Sequence, residues 1–388
     1  MAGKKYRMSE NAGSTNIVWV ENNSELAIWC KHFACLPAIA VDTEFIRRTT
    51  YYPITGLIQI SDGNDAVLID PLPITDWKPL IDLMVLESVV KVFHACSEDL
   101  EVFDRLLGIL PTPFYDTQIG EAYVSAKWSL SYVKLIQSYK EIEIAKDETT
   151  SDWLKRPLTE AQKRYAALDV IYLLEVYERQ IVKLNDKKML SWVIEDCETL
   201  QHQYALNNDP ELNWSNVKSA WRLGSQSLTL LRLLFIWRDK TARQENVPKG
   251  HIIKDRSLWA IAKFLPNNHQ ALSSTEDMTG RQHRLYGDVI LKMVSVVKEL
   301  SKDEYQQLLE MPLPSQAGEL SKAIRAFVAN YCEEWVIAPE AALKKKQLEP
   351  IIRHLYQGTE LVLTPPAMTG WRKEEIIDPI LVKFTNSK

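Results

Sequence analysis

The sequence predicts an α/β domain built on a mixed sheet, followed by helical modules alone. Three observations carry this. Over the first 200 residues, short apolar runs alternate with amphipathic segments. Several of those runs follow one another before the alternation with helices begins, the order expected of a mixed sheet flanked by helices. Beyond an Asn- and Asp-rich stretch, "ALNNDPELNW" (205–214), apolar residues recur only at helical spacing.

"NIVWV" (16–20) and "AIAVDTEF" (38–45) read as strands, with "ELAIWCKHF" (25–33) a helix between them. "GLIQIS" (56–61) and "AVLID" (66–70) are two further strands separated by the turn "DGND". "WKPLIDLMV" is a helix, "VVKVFHA" a strand and "SEDLEVFDRLLG" a helix with Ser97 as N-cap and Gly108 as C′. After "YVSAKWSLSYVKLIQSY", Thr159 opens the helical run "TEAQKRYAALDVIYLLEVYERQIVKL", and Gln162 three residues on completes a capping box. A second break, "MPLPSQAGE" (311–319), precedes a last helical segment. The expected domains are 15–205, 222–303 and 310–388.

At 388 residues the chain is long enough for two or three domains with real cores. Its 46% hydrophobic and 25% charged residues are ordinary for a soluble globular protein. No apolar segment approaches the roughly 18–20 residues of a membrane span, and the N-terminus has no apolar h-region of a secretory signal. The five cysteines show no metal spacing and read as reduced thiols of a cytoplasmic protein. Net charge is −5, but residues 215–300 carry 14 Lys+Arg against 7 Asp+Glu, so the rest must carry −12. A basic module beside an acidic one fits a protein that tethers a polyanion near a carboxylate-rich site; a solvated helical surface fits equally.

The acids cluster at strand ends. In "PAIAVDTEFIRR" (37–48), Asp42 and Glu44 leave a strand on the same face, Thr43 and Phe45 on the other. Two like charges about 4 Å apart repel by roughly 1 kcal/mol in water and about 4 at an effective dielectric of 20. Either the strand end is wet or the pair holds a cation. Asp99 sits in the first turn of the helix after "VVKVFH", where a helix dipole also favours an acid. Tyr165 and Asp169 stand at i and i+4, hence on one helical face.

D-x-E ending a strand, Asp 57 residues on, and Y-x-x-x-D ending 70 residues later together resemble the DEDD superfamily of 3′→5′ exonucleases, in its Tyr subgroup. "VDTEFIRRTTYYPITGLIQIS", "HACSEDLEVF", "YDTQI", "SDWLKRPLTEAQKRYAALDVIYLL" and "WRDKTARQENVP" resemble the bacterial ribonuclease D family throughout. The resemblance implies a ribonuclease H-like exonuclease domain followed by two all-α HRDC-type domains, the second divergent. It implies that Asp42, Glu44 and Asp169 hold one divalent ion, Mg²⁺ or Mn²⁺. Asp42 would bridge to a second ion, which Asp99 reaches through water. Tyr165, with an ordinary pKa of about 10, is assigned to orienting the attacking water. Two hard ions on oxygen ligands suit phosphodiester hydrolysis.

Weaker expectations surround these five. Thr43 and Phe45 resemble positions that meet the terminal nucleotide, Phe45 being either a stacking platform or core. His94 reads as a core histidine, and Asp116 of "YDTQI" as a helix cap. Trp153 and Arg156 in "SDWLKRP" either contact the RNA backbone or brace the loop before the third-motif helix. Arg238, Lys240 and Arg243, with Lys249, Lys254 and Arg256, either grip RNA phosphates or present solvated charge.

The expected function is a cytoplasmic, monomeric 3′→5′ exoribonuclease that trims unpaired tails of tRNA precursors to nucleoside 5′-monophosphates, with RNA and no membrane as partner. A DEDD-type DNA exonuclease, or a catalytically silent RNA-binding protein working through its HRDC modules, are the alternatives.

Overall fold

The structure, a computed structural model, describes residues 4–7, 16–140, 151–364 and 368–385. The expected domain limits at 15 and 388 lie outside the described residues. The chain forms two compact units. One comprises Met1–Ile46, Pro53–Tyr204 and Pro314–Lys388; the other comprises Arg47–Tyr52 and Ala205–Leu313.

The first unit is organised by a seven-stranded mixed sheet. Its strands are β1 (Lys4–Arg7), β2 (Asn16–Val20), β3 (Ala38–Ile46), β4 (Ile54–Ser61), β5 (Asp65–Ile69), β6 (Val90–Phe93) and β7 (Phe114–Asp116). Spatial order is β1-β2-β5-β4-β3-β6-β7. β3 pairs antiparallel with β4 and parallel with β6, so the strand bearing Asp42 and Glu44 lies inside the sheet. Ile39, Ala40 and Val41 are fully buried before the acids begin. Strands β2 to β6 fall where the sequence places them. β1 and β7 are additions: each is short and lies at a sheet edge, where an apolar run gives no signal of pairing.

Helices α1 (Asn23–Phe33), α2 (Lys78–Met84), α3 (Ser97–Leu107), α4 (Thr117–Val124), α5 (Tyr132–Lys140), α6 (Glu160–Ile171), α7 (Leu173–Asp186) and α8 (Leu190–Asn207) complete the domain. The Thr159 capping box forms as predicted, with Gln162 answering. Gly108 ends α3 in the left-handed conformation, φ 70°. Two expectations shift. Cys96, not Ser97, occupies the N-cap position of α3, without a side-chain cap. Tyr172 interrupts the run from Thr159 and separates α6 from α7.

A lysine inside a buried strand is explained by its partners. Lys91 of β6 is fully buried, and its ammonium donates to the carbonyls of Leu86, Val89 and Thr112 at 2.9, 2.8 and 2.6 Å.

Gly56 of β4 is required by packing. A Cβ there would lie 2.6 Å from Trp153 Cβ and 2.8 Å from its carbonyl oxygen. Gly56→Ala is therefore expected to cost about 1–3 kcal/mol through overpacking, read as a lower urea midpoint. Because Trp153 also packs on Tyr165, with ring centroids 6.1 Å apart, activity should fall as well; an unchanged midpoint would show that the loop yields freely.

The second unit is helical, built on Ser225–Glu245, Asp255–Phe264 and Gly280–Glu299. Leu228, Leu231, Leu234, Leu258, Ile261 and Ile290 are fully buried in its core. Its strap, Arg47–Tyr52, is held by residues of the sequence's W-R-x-x-x-A-R-x-x-N-V-P run. Asn246 Oδ1 accepts from the backbone N–H groups of Tyr51 and Tyr52 (3.1 and 3.2 Å), and the Tyr51 hydroxyl donates to Asp239 (3.0 Å).

The last segment of the first unit begins with the helices Ala317–Trp335, Pro339–Ala342 and Lys345–Gln357. That order echoes Ser225–Glu245, Lys249–Ile252 and Asp255–Phe264, down to a left-handed residue after the long helix, Val336 in one case and Asn246 in the other. No disulfide joins the five cysteines. Among the described residues, no helix is long and apolar enough to cross a membrane.

Candidate active site

Three carboxylates converge at the end of β3. One oxygen each from Asp42, Glu44 and Asp169 lies within 4.8 Å of the others. Two come from alternate positions of a strand, which share a face; the third comes from α6, one turn beyond Tyr165. Tyr165 is hydrogen-bonded to Asp169, as its i, i+4 spacing predicts. Asp99 stands apart from this trio and is only 7% exposed; its carboxylate accepts from the Thr43 hydroxyl at 2.5 Å. All five side chains, with Thr43, Phe45 and His94, line one cavity of about 250 Å³.

Strict alternation would send Thr43 and Phe45 away from the acids. Thr43 is drawn in by Asp99 of α3. Phe45 is redirected because the β3–β4 register shifts between Glu44 and Phe45, and a bulge re-aims the side chain that follows it.

The electrostatics follow from crowding. Burial, then the charges of Asp99, Asp169 and Glu44, pushes the Asp42 carboxyl well above the usual range. Burial followed by Asp169 and Asp99 raises Glu44 to about 9. Burial raises Asp99 to about 7 against the pull of the Thr43 hydroxyl, and Asp169 to about 7 against that of Tyr165. Hydrogen bonds, not a cationic side chain, supply those downward pulls. Burial, then Asp169 and Glu44, also raises the Tyr165 phenol, so it stays protonated across the neutral range. An all-oxygen trio this close fits a hard divalent cation.

A pH dependence follows. A carboxyl whose folded pKa is raised contributes stability that is complete below its unfolded pKa, near 4, and is lost as pH rises through the folded value. For Asp99 and Asp169 that loss centres on about 7, and for Glu44 it continues to about 9. A divalent ion bound by these carboxylates would take the place of the missing protons. The rise in melting temperature on adding Mg²⁺ or Mn²⁺ to chelator-treated protein should therefore grow from pH 5.5 to pH 8. Calorimetry in both buffers checks this, and an increment that does not depend on pH would refute it.

The remaining expectations divide. His94 is hydrogen-bonded on both ring nitrogens, as a structural histidine is, but half-buried in the cavity wall and not in the core: Nε2 donates to the Leu130 carbonyl (3.0 Å) and Nδ1 pairs with the Thr117 hydroxyl (2.9 Å). Asp116 caps α4 as predicted, accepting from Gln118 N–H (2.8 Å). Trp153 is 2% exposed and so braces its loop; it does not reach the RNA backbone. Arg156 is likewise structural, its guanidinium donating to both Asp70 oxygens at 2.7 Å and to the Gly56 carbonyl at 2.7 Å.

In the second unit Arg238 is 4% exposed and donates to Asp255 (2.6 Å) and the Ile253 carbonyl, so it cannot grip phosphate. Arg243 and Lys249 are both engaged by Asp239 at 2.6 Å and lie over the Tyr51 ring. Lys240 is exposed. Periodicity could not separate these roles, because the partners Tyr51 and Asp255 lie elsewhere in sequence. Tyr132, which no motif marks, also lines the cavity, its hydroxyl donating to the Leu168 carbonyl at 2.5 Å. Its only sequence signal is the run "LSYVKL".

Two strand-borne acids meeting a helical Asp that is itself bonded to a Tyr four residues before it define the site of a hydrolase of the 3′→5′ exonuclease class. Residues 17–184 match the 3′-5′ exonuclease family and residues 227–294 the HRDC domain. The chain is 41% identical to ribonuclease D of Pseudomonas paraeruginosa over 94% of its own length and 96% of that protein's. It is 34% identical to ribonuclease D of Escherichia coli, over 92% and 96%. The crystal structure of E. coli RNase D, described as an exoribonuclease involved in structured RNA processing, superposes with TM-score 0.87 at 33% identity, over 95% of this chain and 99% of that one. The chain belongs to the ribonuclease D family of 3′→5′ exoribonucleases. Membership sets aside the catalytically silent reading.

Proposed function

We propose that the protein trims single-stranded 3′ tails from structured RNAs, tRNA precursors among them, releasing nucleoside 5′-monophosphates. The observation that carries this is the convergence of Asp42, Glu44 and Asp169 oxygens within 4.8 Å. These three would hold one divalent ion, and Asp42 with Asp99 a second. When bound, two such ions would activate water and neutralise charge on the phosphate and the leaving 3′ oxygen. Tyr165 stays protonated and accordingly orients the water, leaving proton removal to another group. The Asp99–Thr43 bond fixes Asp99 in the wall of the cavity, and Phe45 offers a face on which the terminal base can stack.

The chain is read as three modules, 15–205, 222–303 and 310–388. The repeated order of long, short and middle-length helices supports taking the last as a second, divergent HRDC-like domain. The protein is read as a monomer working in the cytoplasm.

Side-by-side digestion of a 3′-tailed tRNA and single-stranded DNA with Mg²⁺, by wild type and Asp169→Ala, tests the reading. Stepwise trimming of the RNA alone, absent in the variant, is expected. Equal degradation of DNA would overturn the substrate, and activity in the variant would overturn the site.

A further inference from the structure

The catalytic cavity has a neighbour within the first unit. A second cavity, of about 190 Å³, shares a wall with it, because Ala95 lines both. That wall is held by design of the fold. Ala95 has φ 59°, which a residue with a Cβ adopts only when its surroundings impose it. The buried Asp116 imposes it, accepting from the N–H groups of Ala95 (3.0 Å) and Cys96 (2.9 Å). The loop carrying Trp128 is pinned to the same wall at Leu130, whose carbonyl accepts from His94 Nε2 and Gln118 Nε2, both at 3.0 Å. From the C-terminal segment, Lys344 and Arg372 complete the lining.

The lining carries two acids, Asp116 and Asp196, and two bases, Lys344 and Arg372, so the bases are distinguished by their partners. Asp116 is occupied by backbone N–H groups, and Asp196 by Arg372 and the Tyr123 hydroxyl. Among the described residues the Lys344 ammonium has no direct carboxylate contact; it lies over the Trp128 ring, 5.6 Å from its centroid, within the field of Asp196. It stands at the N-terminal, positive end of the helix Lys345–Gln357. Trp128 is 41% exposed. Thr199, which lines the same cavity and is 5% exposed, has a hydroxyl with no partner among the described residues. A part-exposed indole with an ammonium beside it is what a nucleotide asks for: a face for the base and charge for the phosphate.

We propose that this cavity is a second nucleotide subsite, taking a nucleotide of the single-stranded RNA tail on the 5′ side of the scissile bond. Its base stacks on Trp128 and its phosphate pairs with Lys344. The assignment rests on the reading of the catalytic cavity given above, and it gives the C-terminal helices a direct part in binding the tail.

The test uses the full chain with Trp128→Ala and Lys344→Glu, and Trp128→Phe and Lys344→Arg as conservative partners. Two substrates separate the cavities: a 3′-tailed RNA, and a nucleoside 5′-monophosphate p-nitrophenyl ester that fills the catalytic cavity alone. Fluorescence anisotropy of a labelled tailed RNA reads binding without turnover. Both disruptive variants are expected to raise KM and Kd for the RNA about 5-fold or more, with kcat and ester hydrolysis within about 2-fold of wild type. The conservative variants should restore binding. RNA affinity unchanged in both disruptive variants, or ester hydrolysis falling in step with RNA trimming, would overturn the subsite. Wild type that hydrolyses neither substrate would instead refute the catalytic reading, and anisotropy would still decide the subsite.

Discussion

Asp42→Asn is expected to lower RNA trimming by roughly 10³-fold, on the scale of removing one preorganised electrostatic contact in an active site. The change keeps shape and removes one charge from a trio whose oxygens lie within 4.8 Å. The same change should leave the fold intact and, in chelator at pH 8, make it more stable. Burial and the neighbouring acids hold the Asp42 carboxyl well above the usual range, so at pH 8 the folded chain forgoes an ionisation that the unfolded chain gains, a cost an amide does not carry. Loss of activity combined with a higher melting temperature distinguishes an acid kept for metal from one kept for structure. A variant that trims at the wild-type rate, or that melts lower in chelator, would contradict the assignment.

The second large effect concerns the seam joining the exonuclease fold to the C-terminal helices of the first unit. Arg372 is 2% exposed. It donates to both oxygens of Asp196, with Nη2 at 2.6 Å from Oδ2, and to the Ala341 carbonyl at 2.6 Å. Arg372→Met fills most of the volume but leaves Asp196, largely buried, with only the Tyr123 hydroxyl of its two partners. Breaking one half of a buried pair costs about 3–5 kcal/mol, which should appear as a fall in the urea midpoint. Adding Asp196→Asn should recover part of the loss, because the charge, not the volume, is the source of the cost. No recovery in the double variant would locate the loss in the Ala341 hydrogen bond instead.

The HRDC motif illustrates how a correct sequence signal can carry the wrong role. Arg238 and Arg243 stand out as a basic run suited to phosphate, yet one is buried against Asp255 and the other is shared between Asp239 and Tyr51. Asp255 and Tyr51 lie on other elements, which composition does not show; Asp239 is the i, i+4 neighbour of Arg243 and is the one partner that spacing indicates. Trp153 and Arg156 repeat the lesson, the first meeting Gly56 and the second Asp70 across 86 residues.

What the sequence determined by itself is local or periodic. Alternation in "AIAVDTEF" set β3 and the shared face of Asp42 and Glu44; helical spacing joined Tyr165 to Asp169; Thr159 and Gln162 fixed the start of α6. These features depend on residues within one turn or two strand positions of each other, where backbone geometry alone dictates the outcome. What only the tertiary structure decided is pairwise and distant. The bond from Thr43 to Asp99, the bulge that turns Phe45 inward, the pinning of Ala95 by Asp116 and the meeting of Lys344 with Trp128 all join separate elements. Such pairings are set by how the sheet, α3 and the C-terminal helices pack, and no spacing along the chain encodes them.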